Sequence, residues 1–201
     1  MSAHDLVEEI VELGGRRLSL LRPRDAEALL DEEAFEHEEF LPYWAELWPS
    51  SLALGRAVSA LDVDGLRVLE LGCGLVLPSI VAALGGAEVL ATDWSPDALR
   101  VAALNAERNG AEVETALVSW ADAGPLLAGA PWDLVLGADL LYERRNVEQL
   151  LELLPRLGRH VLLADPGRPL EPEFLERARE SWEVESTAAG IARVRIHRLR
   201  R

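Results

Sequence analysis

The sequence predicts an α/β protein with a doubly wound, mostly parallel sheet, and three observations carry this prediction. From Leu66 onward, short apolar runs alternate with segments of helical periodicity, as strands and their covering helices do in such sheets. Several of these runs stop at glycine or at an acidic residue, which is typical of buried parallel strands. Two alternating segments, 181–186 and 191–197, close the chain and predict an antiparallel hairpin beside five parallel strands, hence a seven-stranded sheet.

The N-terminal segment is predicted to add a β-hairpin and a helix ahead of this sheet. Residues 7–13 and 16–21 are short strand-like runs on either side of a Gly14-Gly15 turn. The carboxylate-rich stretch that follows, 25–40, indicates a solvated helix whose few apolar side chains face inward.

The five parallel strands are predicted from short runs rich in valine, leucine and alanine. They are RVLEL at 67–71, EVLAT at 88–92, EVETALV at 112–118, WDLVLGA at 132–138 and RHVLLAD at 159–165.

The helices between the strands are predicted from their periodicity and from their caps. Ser95 provides an N-cap, Pro96 suits the first helical position, and Asn109-Gly110 forms a natural end for that helix. The other predicted helices are 76–84, a helix with its apolar face at 147–154, and 171–180.

Length and composition favour a single globular domain. With 49% apolar and 27% charged residues, the chain of 201 residues can bury a substantial core. We expect one domain over 1–201, with an extension over 1–47 and a core over 48–201. No apolar run approaches the roughly 20 residues that span a bilayer, and the acidic N-terminus is unlike a signal peptide. The sequence therefore predicts a cytoplasmic protein that does not act at a membrane.

The charged and metal-binding residue types exclude several classes of function. Acidic residues outnumber basic ones by 35 to 20, and the net charge of -15 disfavours nucleic acid as a partner. Cys73 is the only cysteine, so neither an intramolecular disulfide nor a cysteine-rich metal site is expected. The histidines, at 4, 37, 160 and 197, are too scattered to predict a metal cluster. All 20 basic residues are arginine.

The segment VLELGCGLVLPSI, residues 68–80, has the features of a ligand-binding turn. Glu70 lies near the end of a predicted strand, and Gly72 and Gly74 allow a tight turn beneath a ligand before the next helix. Leu77 stands where a dinucleotide fingerprint has its third glycine, and a chain without lysine has no Walker A loop. A purely structural glycine turn has a similar sequence, so this segment alone leaves both interpretations open.

Asp93 favours the interpretation as a nucleoside site. It follows the second predicted strand, 19 residues after Gly74, where an acidic residue accepts hydrogen bonds from ribose hydroxyls. Trp94 offers an apolar face to an adenine, and Trp120 follows the third strand at the same rim of the sheet. The alternative role for Asp93 is to open a turn before Ser95.

Several spaced motifs together resemble a known family. ELGCG at 70–74, with Asp93, is similar to the cofactor motifs of the class I, seven-stranded S-adenosylmethionine-dependent methyltransferases. LPYWAELWP at 41–49, GADLLY at 137–142 and ADPGRP at 164–169 resemble the small protein-lysine methyltransferases of family 16, and especially the electron transfer flavoprotein beta-subunit lysine methyltransferase group. The resemblance covers most of the chain and implies a Rossmann-like sheet.

The resemblance also implies S-adenosyl-L-methionine as methyl donor and S-adenosyl-L-homocysteine as product. In this family pattern, Glu70 supports the ammonium group of the donor and Asp93 holds its ribose. The residues implied for the donor site as a whole are Trp48, Glu70, Gly72, Cys73, Gly74, Asp93, Trp94, Trp120 and Ala138. The chain departs from the family at Val76, where a third glycine is usual, so the loop is expected to approach the donor less closely there.

Asp139 and Tyr142 match an acidic-x-x-aromatic signature that borders the substrate channel in the family. The resemblance therefore implies that Asp139 orients an acceptor amine and that Tyr142 forms an aromatic wall beside it. Structural alternatives remain open at this stage. Asp139 is also suited to cap a helix that begins near Glu143, and Arg168 is suited to pair with a nearby carboxylate.

The resemblance implies a methyltransferase that acts on lysine side chains of a protein substrate, with the electron transfer flavoprotein beta subunit as a candidate partner. The acidic composition suits a basic protein substrate by steering its approach, and solubility is the alternative reason for it. Two rival functions use the same donor site. One is methyl transfer to a small amine, such as a nicotinamide-like base, and the other is nucleoside binding without turnover.

Overall fold

A computed structural model of the chain describes residues 6–26, 29 and 42–201. Its strands are β1 (Leu6–Leu13), β2 (Arg16–Pro23), β3 (Arg67–Leu71), β4 (Glu88–Asp93), β5 (Val113–Leu117), β6 (Leu134–Ala138), β7 (His160–Asp165), β8 (Glu183–Ala188) and β9 (Arg195–Arg200). In the described residues, β1 and β2 form an antiparallel hairpin, and the other strands form a 7-stranded sheet in the order β5-β4-β3-β6-β7-β9-β8. Strands β3 to β7 are parallel, whereas β9 runs antiparallel to both of its neighbours. The predicted fold class is confirmed.

The helices cover both faces of this sheet. They are α1 (Pro49–Ser59), α2 (Leu77–Leu84), α3 (Pro96–Arg108), α4 (Gly124–Ala128), α5 (Arg144–Leu157) and α6 (Glu171–Ala178). The hairpin, α1, α2 and α3 contribute to the apolar core on one face, and α4, α5 and α6 to the core on the other. Proline at the first or second position starts all of them except α5, because a proline there fixes φ without costing a helical hydrogen bond.

Helix α1 is absent from the predicted elements, although its sequence carries a helix start. Pro49 occupies the first turn, and Ala53, Leu54 and Val58 are buried at helical spacing. The helix predicted over 25–40 lies outside the described residues, apart from a few positions at its start. The division of the chain into an extension and a core stays a prediction.

The last strand is displaced from its predicted position. The sequence pattern predicts a strand over 191–197, whereas β9 begins at Arg195 and ends at Arg200. A turn occupies the preceding residues, because the amide of Ala189 donates to the carbonyl of Val194 over 2.9 Å. Ala192 takes a positive φ of 46° within that turn, which no alternating pattern reveals.

Asn105, within α3, and Asn109, the residue that follows α3, attach the hairpin to the rest of the molecule. The side chain of Asn105 accepts a hydrogen bond from the amide of Leu21 over 2.6 Å and donates to its carbonyl over 3.0 Å. Asn109 makes the same pair of bonds with Ser19, at 2.9 and 2.8 Å. The hairpin therefore docks through backbone groups as well as through apolar contacts.

The direction of the strands places the candidate site at one edge of the sheet. Because β3 to β7 are parallel, their carboxyl ends meet at this edge, and the loops that follow them enclose a crevice. No helix among the described residues is long and apolar enough to cross a membrane. The same residues contain no group of three or more acidic, histidine or cysteine side chains placed to hold a metal ion.

Candidate functional site

A cavity of about 880 Å³ opens at the carboxyl ends of the parallel strands. Its volume lies in the range of sites for small molecules, roughly 300–1,000 Å³. The structure brings all of the predicted site residues together along its wall, namely Trp48, Glu70, Gly72, Cys73, Gly74, Asp93, Trp94, Trp120, Ala138, Asp139 and Tyr142. The wall has two parts. The loops after β3, β4 and β5 form one end, called here the donor end, and the loops after β6 and β7, with residues 43–48, form the acceptor end.

The glycine turn forms the floor of the donor end. Gly72 has a φ of 61°, and a Cβ there would lie 2.8 Å from a methyl group of Leu140, so glycine is favoured at this position. Val76 also has a positive φ, 65°, although it is β-branched and fully buried. The family's usual glycine is therefore replaced at a position whose backbone conformation still favours glycine, at a conformational cost of about 1–2 kcal/mol.

Glu70 lies buried beneath this turn, with 1% of its surface exposed. One oxygen of its carboxyl group accepts hydrogen bonds from the amide and the hydroxyl of Ser79, at 3.0 and 2.5 Å. Ser79 belongs to the first turn of α2, so the carboxyl group also faces a helix N-terminus. Burial nevertheless outweighs these contacts and raises the pKa of Glu70 to about 8.

Asp93 connects the glycine turn to the start of α3. Its carboxylate accepts hydrogen bonds from the backbone amides of Gly74 and Ser95, each at 3.0 Å. The hydrogen bond from Ser95 forms the turn that the sequence analysis gave as the structural alternative for Asp93. The hydrogen bond from Gly74 stabilises the cavity floor. Burial raises the pKa of Asp93, while these two amides and the amide of Trp94 act to lower it.

Two tryptophans flank the donor end. Trp94 follows Asp93 and is 44% exposed at the mouth of the cavity. Trp120 opens a short 3-10 turn after β5, and its ring lies 3.8 Å from the point that a Cβ on Gly72 would occupy. Cys73, in the glycine turn, is buried, and burial raises the pKa of its thiol well above the usual range. Its thiol is therefore unsuited to nucleophilic chemistry.

Asp139 is the centre of the acceptor end. It directly follows β6 with a φ of 60°, and its amide donates to the carbonyl of Ala164 over 2.8 Å. Its buried carboxylate accepts a hydrogen bond from Nε of Arg168 over 2.7 Å, and the hydroxyl of Ser50 lies 3.5 Å away. Helix α5 begins after Glu143, so the alternative in which Asp139 caps that helix is wrong.

Aromatic rings surround this ion pair. The rings of Tyr43 and Tyr142 lie 5.3 Å apart between centroids, and the indole nitrogen of Trp48 donates to the carbonyl of Tyr43 over 2.6 Å. The guanidinium carbon of Arg168 lies 5.7 Å from the centre of the Trp48 ring, which is a cation–π arrangement. Burial raises the pKa of the Tyr142 hydroxyl, so that group is neutral at physiological pH.

Tyr43 is absent from the site residues predicted from the sequence, although it lies in the aromatic-rich segment LPYWAELWP that carries the family resemblance. The sequence also leaves the partner of Arg168 unidentified. The loop after β7 explains how that partner is reached: the buried carboxylate of Asp165 accepts hydrogen bonds from the amides of Gly167 and Arg168, at 2.8 and 2.7 Å. This turn directs the arginine side chain across the sheet edge toward Asp139.

Comparison with known sequences gives consistent matches. A family model described as lysine methyltransferase matches residues 43–165. The electron transfer flavoprotein beta subunit lysine methyltransferase of Xenopus laevis is 35% identical over 164 residues, which cover 76% of this chain and 63% of that protein. The protein of the same name from Danio rerio is 36% identical over 138 residues, covering 63% of this chain and 51% of that protein. The match thus spans less than two thirds of the length of either relative.

Comparison with solved structures supports the fold. The crystal structure of magnesium protoporphyrin IX methyltransferase from Synechocystis PCC 6803 with bound SAM matches with a TM-score of 0.65 at 18% sequence identity. The alignment covers 87% of this chain and 99% of that one. Since the family model covers more than half of the sequence and the fold agrees with it, the chain belongs to the lysine methyltransferase family.

Proposed function

We propose that the chain is an S-adenosylmethionine-dependent methyltransferase that transfers methyl groups to lysine side chains of a protein substrate. The observation that carries this proposal is the shared cavity, in which the glycine turn with Asp93 faces an aromatic-lined carboxylate, Asp139. A nucleoside-bearing donor and an amine acceptor would thereby meet in one enclosed space. Membership of the lysine methyltransferase family supports the same conclusion.

The donor end fits the chemistry of S-adenosylmethionine. In the proposed arrangement Asp93 accepts hydrogen bonds from the ribose, and Trp94 and Trp120 flank the adenine. Glu70 and the 72–74 turn hold the methionine end, and Trp48 and Ala138 contact the donor from the part of the cavity wall that adjoins the acceptor end. Burial raises the pKa of Glu70 to about 8, and a cationic ammonium group bound nearby would lower it and favour the carboxylate. Bound there, the donor supplies a methyl group already activated by a positive sulfonium.

The acceptor end fits a lysine amine. The amine nitrogen uses its lone pair to form a bond to the methyl carbon while the carbon–sulfur bond breaks and its electrons remain on sulfur; one N–H proton leaves to water. Asp139 orients the amine by accepting a hydrogen bond from it, and Tyr142 and Tyr43 exclude water from the reacting atoms. A free lysine has a pKa of about 10.4, so the site must also favour the neutral amine.

The proposed acceptor protein is the electron transfer flavoprotein beta subunit. Two relatives of this chain carry that substrate in their names. The net charge of -15 would steer a basic protein surface toward the site.

The test is methyl transfer from isotope-labelled S-adenosylmethionine to recombinant electron transfer flavoprotein beta subunit and, in parallel, to lysate proteins. Mass spectrometry of the products should locate labelled methyl groups on lysine. Asp139→Ala should remove the label, whereas Asp97→Ala, an exposed carboxylate on α3 paired with Arg100, should not. Label confined to small amines would support the rival small-molecule function, and donor binding without any transfer would support a binding module; either result contradicts the proposal.

A further inference from the structure

The acceptor end poses an electrostatic problem for the proposed reaction. A lone carboxylate beside a lysine stabilises the ammonium form, because an opposite charge nearby favours the charged state of an amine. The ammonium has no lone pair and cannot accept a methyl group. Asp139, which is 7% exposed, is placed to orient the amine and would at the same time hold it in this unreactive form.

The guanidinium of Arg168 lies where it compensates the negative charge of Asp139. Its Nε lies 2.7 Å from Oδ1 of Asp139, and the same guanidinium rests against the face of Trp48 inside the cavity. The two charges cancel at the acceptor end. Asp139 still offers lone pairs to an incoming N–H group, since only one strong hydrogen bond occupies its two oxygens.

Other charged groups around the acceptor end have ion-pair or hydrogen-bond partners of their own. Glu143 and Arg145, at the start of α5, form an ion pair of 2.5 Å. Glu46, in the segment before α1, lies 3.9 Å from a guanidinium nitrogen of Arg22, which pairs more closely with Glu9, at 2.9 Å. Behind the loop after β7, burial raises the pKa of Asp165, whose carboxylate is turned to the backbone amides of that loop. The pair of Asp139 and Arg168 therefore sets the charge that an acceptor amine meets.

We propose that Arg168 is a positioning residue which, by neutralising Asp139, keeps the acceptor lysine in its neutral, reactive form. This inference rests on the proposed function and names a further residue of the same site. Arg168 acts through Asp139, and the Asp165 turn fixes where its side chain begins. A cation at this place also repels a lysine ammonium directly, which lowers the pKa of the bound acceptor in the same direction.

The test is the pH dependence of kcat, which reports groups in the enzyme–substrate complex, measured between about pH 6 and about pH 10. The acceptor is recombinant electron transfer flavoprotein beta subunit at saturation. In Arg168→Gln, the uncompensated carboxylate should raise the pKa of the bound lysine and move the acid limb of the profile upward by about one pH unit or more. The kcat of this variant should approach that of the wild-type chain near pH 10, where the amine is neutral without help.

Three comparisons make the result decisive. Arg168→Lys keeps a positive charge and should leave the acid limb close to its wild-type position. Arg144→Gln removes an exposed guanidinium that pairs with Glu173 at 2.8 Å, changes the net charge equally, and should also leave it in place. Affinity for S-adenosylhomocysteine, measured by calorimetry, should be equal in wild type and Arg168→Gln.

An acid limb that stays in place in Arg168→Gln would overturn the inference, as would an inactive variant even near pH 10. A loss of affinity for S-adenosylhomocysteine of about tenfold or more would also overturn it, because Arg168 would then serve the donor. Absence of methyl transfer by the wild-type chain is a different result, and it contradicts the proposed function.

Discussion

The two ends of the cavity hold their acidic residues in different ways. At the donor end, backbone amides and a neighbouring hydroxyl hold the carboxyl groups: Ser79 binds Glu70, and Gly74 and Ser95 bind Asp93. At the acceptor end, Asp139 is held by the side chain of Arg168, from a different strand's loop. The donor end is therefore fixed by the fold of the backbone, whereas the acceptor end depends on an ion pair between side chains.

This difference has a functional meaning. A backbone scaffold suits a ligand that is the same in every turnover, because its geometry cannot adapt. A single substitution changes the net charge of an ion pair between side chains. Such a pair therefore suits the acceptor end, where the site must match a particular acceptor. The comparison predicts that substitutions at the two ends separate binding of the donor from transfer of the methyl group.

The largest effect is expected at Asp139. Asp139→Ala should lower kcat on the order of 100-fold, because the amine loses the group that orients it and Arg168 loses its partner. Affinity for S-adenosylhomocysteine should stay nearly unchanged in calorimetry. If affinity and activity fall together in a variant whose circular dichroism is normal, Asp139 belongs to the donor end and the division of the cavity is wrong.

Asp93 should give the opposite pattern. Asp93→Ala leaves ribose hydroxyls unpaired and frees the amide of Gly74, so affinity for S-adenosylhomocysteine should fall by about 1.5–3 kcal/mol, roughly 10- to 100-fold. Thermal unfolding of the same variant checks that the start of α3 survives. Unchanged affinity in a folded variant would remove Asp93 from the donor site.

Tyr142 separates the role of a ring from that of a hydroxyl. Tyr142→Phe keeps the wall beside Tyr43 and should lower kcat by less than about tenfold, the loss expected for one hydrogen bond. Tyr142→Ala opens the wall to water and should cost more. Equal losses in the two variants, measured at saturating donor, would show that the hydroxyl and not the ring matters.

The last prediction concerns stability rather than donor binding or turnover. Because the pKa of Glu70 is raised from 4.5 to about 8, the folded chain binds a proton that the unfolded chain has released, and its stability falls as pH rises through this window. Glu70→Gln should therefore gain stability relative to wild type between about pH 5 and about pH 8, with no further gain above that. Urea unfolding of both proteins at several pH values measures the difference. A constant difference across the window would mean that Glu70 is ionised throughout.

The same contrast explains what could be predicted from sequence. Short segments at strand ends contain the predicted donor residues Glu70, Gly72, Gly74 and Asp93. A parallel sheet brings the carboxyl ends of its strands to one edge, so these residues are expected to lie close together. The partner of Asp139 was not identifiable in this way, because Arg168 is 29 residues distant and reaches it through a turn that Asp165 organises. The local sequence predicts that Arg168 pairs with a carboxylate, but it does not specify which carboxylate of the chain is the partner.

The hairpin docked on α3 has a consequence for self-association. Two residues along a strand advance about 6.6 Å, and four residues along a helix rise about 6 Å, so Asn105 and Asn109 present amide groups at nearly the spacing of Leu21 and Ser19. The helix thus imitates a neighbouring strand along this side of β2. A strand edge left open invites pairing with another molecule and aggregation. The two asparagines close that edge with side chains, so this side of β2 does not offer a template for aggregation.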